Sequence, residues 1–196
     1  MNYSIFDVDG TILDSMEVWN TLASRYIQSL DRIPEKNLDK IVSEMSLEQS
    51  AIYLKKRYRI YKQEEVIISE VLNLISDFYK HEVKLMPGFK DFITHFDSMN
   101  VIGTSCDEEL VKSALKRLGV LDYFEDIMTC SKVNKGKDDP GFYLACADIL
   151  EQKPDNIFVF EDADYCIDAA RKVGFKVIKI KDWRDLNEEC INNCGK

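Results

Sequence analysis

The chain has 196 residues, 45% of them hydrophobic and 31% charged, with a formal net charge of −9. That length suits one full core with a smaller attached unit, and the acidic balance argues against nucleic acid, whose phosphates are met by basic faces. The richest apolar stretch, near Val66 to Ile75, is broken by Ser69, Glu70 and Asn73, and the start MNYSIFDVDG lacks a leader pattern, so no membrane partner and a cytoplasmic location are expected.

Residues 2–6 (NYSIF) form an apolar run of strand length that leads into Asp7, Val8, Asp9 and Gly10. Extended backbone puts residues i and i+2 on one side, so Asp7 and Asp9 are aimed into one space. Two carboxylates placed so repel and call for a cation or a shared proton. Gly10 permits the tight turn that must follow. Thr11, Ile12 and Leu13 supply none of the further ligands of a calcium loop.

Residues 15–84 contain no convincing strand and read as an all-helical insertion. Asp14 is the expected N-cap of its first helix, with Glu17 completing a capping box. A second helix begins near Ser46, and a third from about Gln63 places Ile67, Val71, Leu74, Ile75 and Phe78 on one face. The loop from Lys84 to Gly88 returns the chain. Beyond it, strand-length runs at 100–104, 126–130, 157–160 and 175–180 alternate with helical patterns at 88–98, 107–118, 140–151 and 164–173. This alternation predicts an α/β fold with a parallel sheet covered on both faces. The expected division is a core of 1–14 plus 85–196, with 15–84 as a separate helical unit. Six cysteines, Cys106, Cys130, Cys146, Cys166, Cys190 and Cys194, form no Cys-x-x-Cys pair and are expected as buried thiols.

Chemistry gathers at the strand ends. Glu161 and Asp162 follow the run 157–160, and ligand sites in open parallel sheets lie at the carboxyl edge, where Asp7 and Asp9 also end. Four converging acids suit a hard cation such as Mg²⁺. Thr104 and Ser105, ahead of a helix starting Asp107-Glu108-Glu109, offer hydroxyls and backbone N–H groups to an anion. Lys137, in the polar loop before Pro140, supplies positive charge. Phosphoryl transfer needs both the cradle and the cation.

The run from Phe6 to Ser15 (FDVDGTILDS) resembles the first motif of the haloacid dehalogenase superfamily. Val101 to Ser105 looks like the second motif, Gly136-Lys137 with Pro140 and Tyr143 like the third, and Phe158 to Asp162 like the fourth. The helical insertion and the return segment Phe78 to Gly88 are similar to the β-phosphoglucomutase-like subfamily. The departures are Asp138 for the usual proline, Gly141 for the usual acid and Cys166 for a common glycine; none removes a reacting group. The resemblance implies a Rossmann-like core with a helical cap. It implies Asp7 as nucleophile, Asp9 as general acid/base, and Lys137 and Thr104 as a phosphoryl cradle. Mg²⁺ would be held by Asp7, Asp162, the Asp9 carbonyl and Glu161, directly or through water.

The expected activity is Mg²⁺-dependent hydrolysis of a small phosphomonoester, a sugar phosphate or similar metabolite, by a monomer or weak dimer. The cap is expected to read the leaving group through Trp19, Tyr26 and the loop 44–47. A phosphomutase is the alternative. In the mutase a cap histidine couples closure to the acid/base, and cap Lys and Arg grip a distal phosphate; the histidine position falls on Trp19 here, and a looser alignment puts the other two near Ser43 and Leu47. A phosphorylated signalling receiver is excluded by the insertion after the first strand, and a dehalogenase is disfavoured by the presence of Asp9.

Overall fold

The structure, a computed structural model, describes residues 2–43 and 45–186. Its central strand is β1 (Asn2–Phe6), flanked by β2 (Ser98–Thr104) and β4 (Ile157–Glu161), with β3 (Asp126–Thr129) and β5 (Lys176–Lys179) at the edges. The order is β3-β2-β1-β4-β5, and every pairing is parallel. All five carboxyl ends therefore lie on one edge. The chain steps outward from β1 through β2 to β3, then crosses back to β4, so that edge opens a crevice beside β1.

Alternation along the strands divides the core in two. Phe6, Ile102 and Phe160 face one side, where α5 (Phe89–His95) and α6 (Glu108–Arg117) cover them. Ile5, Val101 and Val159 face the other, under α8 (Pro140–Leu150) and α9 (Asp164–Lys172). Buried side chains of this size contribute roughly 2 kcal/mol each. Trp183 packs over Phe6, Phe89 and Phe160 and donates its indole N–H to the Thr11 carbonyl at 2.7 Å. That bond ties the turn after Asp9 to the core.

The five expected strands form, with shifted bounds. Helix α5 stops at His95 and β2 starts at Ser98, because Ser98 and Met99 pair with Asn2 and Tyr3. Cys130 leaves β3 to open the short helix α7 (Cys130–Val133), where the Thr129 hydroxyl accepts from the Lys132 N–H. Cys106, Cys130, Cys146 and Cys166 are free and buried; Cys190 and Cys194 lie outside the described residues.

Between β1 and β2 stand α1 (Met16–Ser29), α2 (Leu38–Val42), α3 (Leu47–Tyr58) and α4 (Glu64–Asp77), the last continuing into a π-helical turn, Phe78–Glu82. Ser46 caps α3 in a reciprocal box with Gln49. The expected cap at Asp14 is not made. Ser15 is the N-cap of α1 but makes no capping bond, because its hydroxyl is committed to Asp9. On α4, Ile67, Val71 and Ile75 are buried at i, i+4 and i+8, whereas Leu74, at the edge of that stripe, is 36% exposed. The segments leading out and back run side by side, with Asp14 N–H donating to the Lys84 carbonyl and Met86 N–H to the Ile12 carbonyl.

Candidate active site

Asp7 follows directly on β1, and its N–H extends the ladder to the Phe160 carbonyl. Its side chain is buried. Lys137 Nζ donates to Asp7 Oδ1 at 2.6 Å and also pairs with Glu161 Oε1. The lysine is held because the loop carrying it turns back on itself, Asp139 N–H to the Gly136 carbonyl, and Asp139 then caps α8 through the Gly141 N–H. Glu161 is further fixed by the Tyr143 hydroxyl and by the N–H groups of Asp162 and Ala163. Gly10 has φ of +90°, and a side chain there would collide with the Asp162 carboxylate, so only glycine lets the first turn approach the fourth motif this closely.

Asp7, Glu161 and Asp162 each present an oxygen within 4.8 Å of the others. Three carboxylates facing one ammonium leave two negative charges uncompensated, and Asp7 Oδ2 is buried with no hydrogen-bond partner. Burial, then the neighbouring acids, raises Asp7 well above the ordinary carboxyl range despite Lys137. Burial and the charge of Glu161 push Asp162 up to about 6. Glu161 goes the other way: burial opposes it, but the charge and hydrogen bond of Lys137 prevail and hold it low. Burial likewise disfavours charged Lys137, yet Asp7 and Glu161 hold it well above the usual lysine value. The donor set, all carboxylate oxygen with one orphan, fits a divalent hard cation such as Mg²⁺.

Asp9 stands apart from this cluster. Its Oδ1 accepts from the Ser15 hydroxyl at 2.5 Å and from the Tyr79 hydroxyl, and Tyr79 accepts in turn from Trp19 Nε1–H at 2.7 Å. Burial raises the Asp9 carboxyl, opposed by these hydrogen bonds. Tyr79 is fully buried on the π-helical turn, whose flanking carbonyls, Tyr79 and Val83, are held by the Arg117 guanidinium. Tyr79 is absent from the residues read from the sequence. The residues around it, Asp77 before and Lys80, His81 and Glu82 after, are polar and gave no sign of it.

Thr104 is buried at the end of β2, its oxygen accepting from Cys106 N–H, and Ser105 contacts Cys130 Sγ at 3.4 Å. The helix terminus beyond them is not the open anion site expected, because Asp107 caps the N–H groups of Glu109 and Leu110. The hydroxyls remain. A cavity of about 300 Å³ joins Asp7, Asp9, Thr104, Ser105, Lys137 and Asp162 to the inserted helices. Trp19, Ser43, Met45 and Leu47 line it, and Glu44 lies outside the described residues. Tyr26 does not reach the cavity as expected: it is buried between helices, donating to Glu70 at 2.8 Å. The Tyr165 hydroxyl donates to the Ser43 carbonyl and Ser131 to Glu48, so the inserted helices rest on the sheet edge.

With the sheet order and the acid cluster in view, the chain belongs to the haloacid dehalogenase-like hydrolase family, whose model matches residues 4–180. It is 27% identical to β-phosphoglucomutase of Bacillus subtilis over 92% of this chain and 83% of that protein. It is 26% identical to the phosphorylated carbohydrates phosphatase of Thermotoga maritima over 91% of this chain and 84% of that one. The crystal structure of β-phosphoglucomutase from Clostridium difficile matches with a TM-score of 0.82 at 18% identity, covering 100% and 97% of the two chains. Family and relatives support an enzyme that acts on phosphate esters. Among the described residues, no helix is long and apolar enough to cross a membrane.

Proposed function

We propose that this chain is a Mg²⁺-dependent phosphatase that hydrolyses a small phosphomonoester through an aspartyl-phosphate on Asp7. The observation that carries this is the split between two aspartates only two residues apart. Asp7 sits in an electron-rich cluster against Lys137, whereas Asp9 is turned to separate donors, Ser15 and Tyr79. A nucleophile must be ionised, and a general acid must hold a proton: burial raises both carboxyls, and it is the contact with Lys137, together with a bound cation, that would hold Asp7 ionised, while Asp9 outside that cluster keeps its proton.

In the first step an Asp7 oxygen attacks phosphorus as the bond to the leaving oxygen breaks, and the Asp9 carboxyl gives its proton to that oxygen. In the second, Asp9 takes a proton from water, whose oxygen displaces Asp7 and restores both groups. Lys137 orients Asp7 and balances the phosphoryl oxygens, with Thr104 and Ser105 as hydroxyl donors. Asp7, Glu161, Asp162 and the Asp9 carbonyl would hold Mg²⁺, which when bound neutralises the phosphoryl charge and lets an anionic carboxylate approach.

Hydrolysis is favoured over mutase chemistry by the cavity. Trp19, at the position of the mutase's histidine, and Ser43 and Leu47, near those of its Lys and Arg, all line it, and among its described lining residues Lys137 is the one cation. A distal phosphate would find no charged donor on the cap side. The test is phosphate release from single-phosphate esters with Mg²⁺ and with EDTA, together with β-glucose 1-phosphate plus a trace of the 1,6-bisphosphate. Phosphate release that EDTA abolishes is expected. Formation of glucose 6-phosphate without phosphate release would overturn the reading.

A further inference from the structure

We infer that the leaving group this site accepts is an apolar alkyl group, and that the cavity reaching into the helical insertion is its binding pocket. This deepens the phosphatase reading and rests on it. The cavity is continuous with Asp7 and Asp9, so a leaving group joined to the phosphoryl group at its near part extends into its far part. Its far wall is made of Leu22, Ala23, Ala51, Leu54, Ile67 and Val71, all buried side chains of the insertion.

The protons of Ser43, Ser50 and Trp19 on that side are already engaged with the protein, and Asp39 is an acceptor partly used by Ser24. The Asp39 carboxylate accepts from the Ser24 N–H at 3.0 Å and from the Ser24 hydroxyl. Ser43 donates to the Lys40 carbonyl at 2.9 Å and Ser50 to the Val42 carbonyl at 3.5 Å. The indole N–H of Trp19 is spent on Tyr79. Asn20 is exposed. Against the six apolar side chains of the far wall, a polyhydroxylated leaving group would bury hydroxyls without partners, which is unfavourable for each one. A hydrocarbon chain loses nothing there and leaves water. Two alanines, Ala23 and Ala51, stand where larger residues would fill the space.

The experiment is a chain-length series of methyl, propyl and pentyl phosphate, read as kcat/KM with Mg²⁺, beside glycerol 1-phosphate and ribose 5-phosphate. Each methylene entering the pocket should raise kcat/KM about threefold to fourfold, and pentyl phosphate should exceed both polyol phosphates at least tenfold. Ala51→Leu, which fills the pocket, should lower the pentyl-to-methyl ratio at least tenfold. Because Ala51 is 2% exposed and that variant can fail to fold, Leu47→Gln on the half-buried part of the wall provides the same readout. Binding of pentylphosphonate against methylphosphonate, followed calorimetrically, reports on the pocket without turnover. Tighter pentylphosphonate binding with no phosphate released from any ester would remove the phosphatase reading and keep the pocket. A flat chain-length series, or polyol phosphates preferred, with phosphate released throughout would overturn the pocket and keep the phosphatase.

Discussion

Tyr79→Phe isolates one hydroxyl at the junction of insertion and sheet. Tyr79 is fully buried, and its oxygen sits between two partners, giving a proton to Asp9 and accepting one from the Trp19 indole at 2.7 Å. Phenylalanine keeps the ring and its packing. It removes a hydrogen bond to a carboxylate, about 1.5–3 kcal/mol, and leaves the Trp19 N–H without its acceptor, about 1–3 kcal/mol where water cannot replace it. Trp19 is only half-buried, so the second cost falls at the low end, and a total of about 2.5–4 kcal/mol is expected. For a chain of this size that is a Tm loss of about 8 °C.

The same substitution acts on chemistry. Ser15 remains as a donor to Asp9, but the carboxyl loses one of two fixed points, and kcat should fall roughly tenfold or more. The Tyr79 bond lowers the Asp9 carboxyl against the upward push of burial. Its loss lets the group rise, so the kcat–pH profile should move to higher pH. Adding Trp19→Phe removes the orphaned N–H, so the double variant should be about 1 kcal/mol more stable than the sum of the singles implies. The assays are urea unfolding of wild type, both singles and the double, and kcat across pH for Tyr79→Phe. Additivity within about 0.5 kcal/mol together with an unmoved pH profile would refute the coupling.

Asp7→Asn should abolish turnover and keep the fold, with a Tm no lower than wild type when Mg²⁺ is absent, since it removes one of three repelling carboxylates; residual turnover above about one part in a hundred would exclude Asp7 as nucleophile. Lys137→Met removes the cation between Asp7 and Glu161 and should cost about 3–5 kcal/mol in urea unfolding at neutral pH, shrinking toward pH 5 as the acids protonate; an equal loss at both pH values would contradict the pairing. Asp162, raised to about 6, binds its proton more tightly folded than unfolded, so its ionisation costs stability as pH rises from about 4 to 6. That cost, about 2 kcal/mol after allowing for solvent screening, is what Mg²⁺ should offset. Mg²⁺ should thus raise Tm about 4–8 °C at pH 7.5 and little at pH 4.5, and Asp162→Ala should need more Mg²⁺ for activity; equal Mg²⁺ responses at both pH values would place the cation elsewhere.

What the chain discloses as sequence divides along the range of the forces involved. The strands were readable because each is a short apolar run whose burial is decided locally, and Asp7, Lys137 and Asp162 because their chemistry is tied to strand ends and loops of fixed type. Ser98 and Met99 were not readable as strand, since nothing in their composition says they pair with Asn2 and Tyr3. The cap of α1 moved from Asp14 to Ser15, and even there the hydroxyl serves Asp9 instead of the helix. Tyr26 and Tyr79 show the limit most clearly. Both are tyrosines in mixed helical stretches of the insertion; one reaches Glu70, the other Asp9. Only the packing of the helices decides which becomes part of the site.

The two carboxylates proposed to react are held by different parts of the molecule, although one residue separates them. Asp7 is fixed from within the sheet domain, by Lys137 ahead of α8, which also pairs with Glu161 at the end of β4. Asp9 is fixed by Ser15, where the chain leaves for the insertion, and by Tyr79, where it returns. These outgoing and returning segments are bonded to each other, Asp14 to Lys84 and Met86 to Ile12, and form one paired strap. Motion of the insertion therefore bears on the proposed acid through both of its donors and leaves the nucleophile's lysine untouched. In the proposed mechanism, closure over a leaving group would also present the proton to it. The contacts that rest the insertion on the sheet edge, Tyr165 to Ser43 and Ser131 to Glu48, lie at the other end of the same lever. Substrate recognition by the helices can reach the chemistry through Asp9 alone, without any contact between the leaving group and Asp7's own partners.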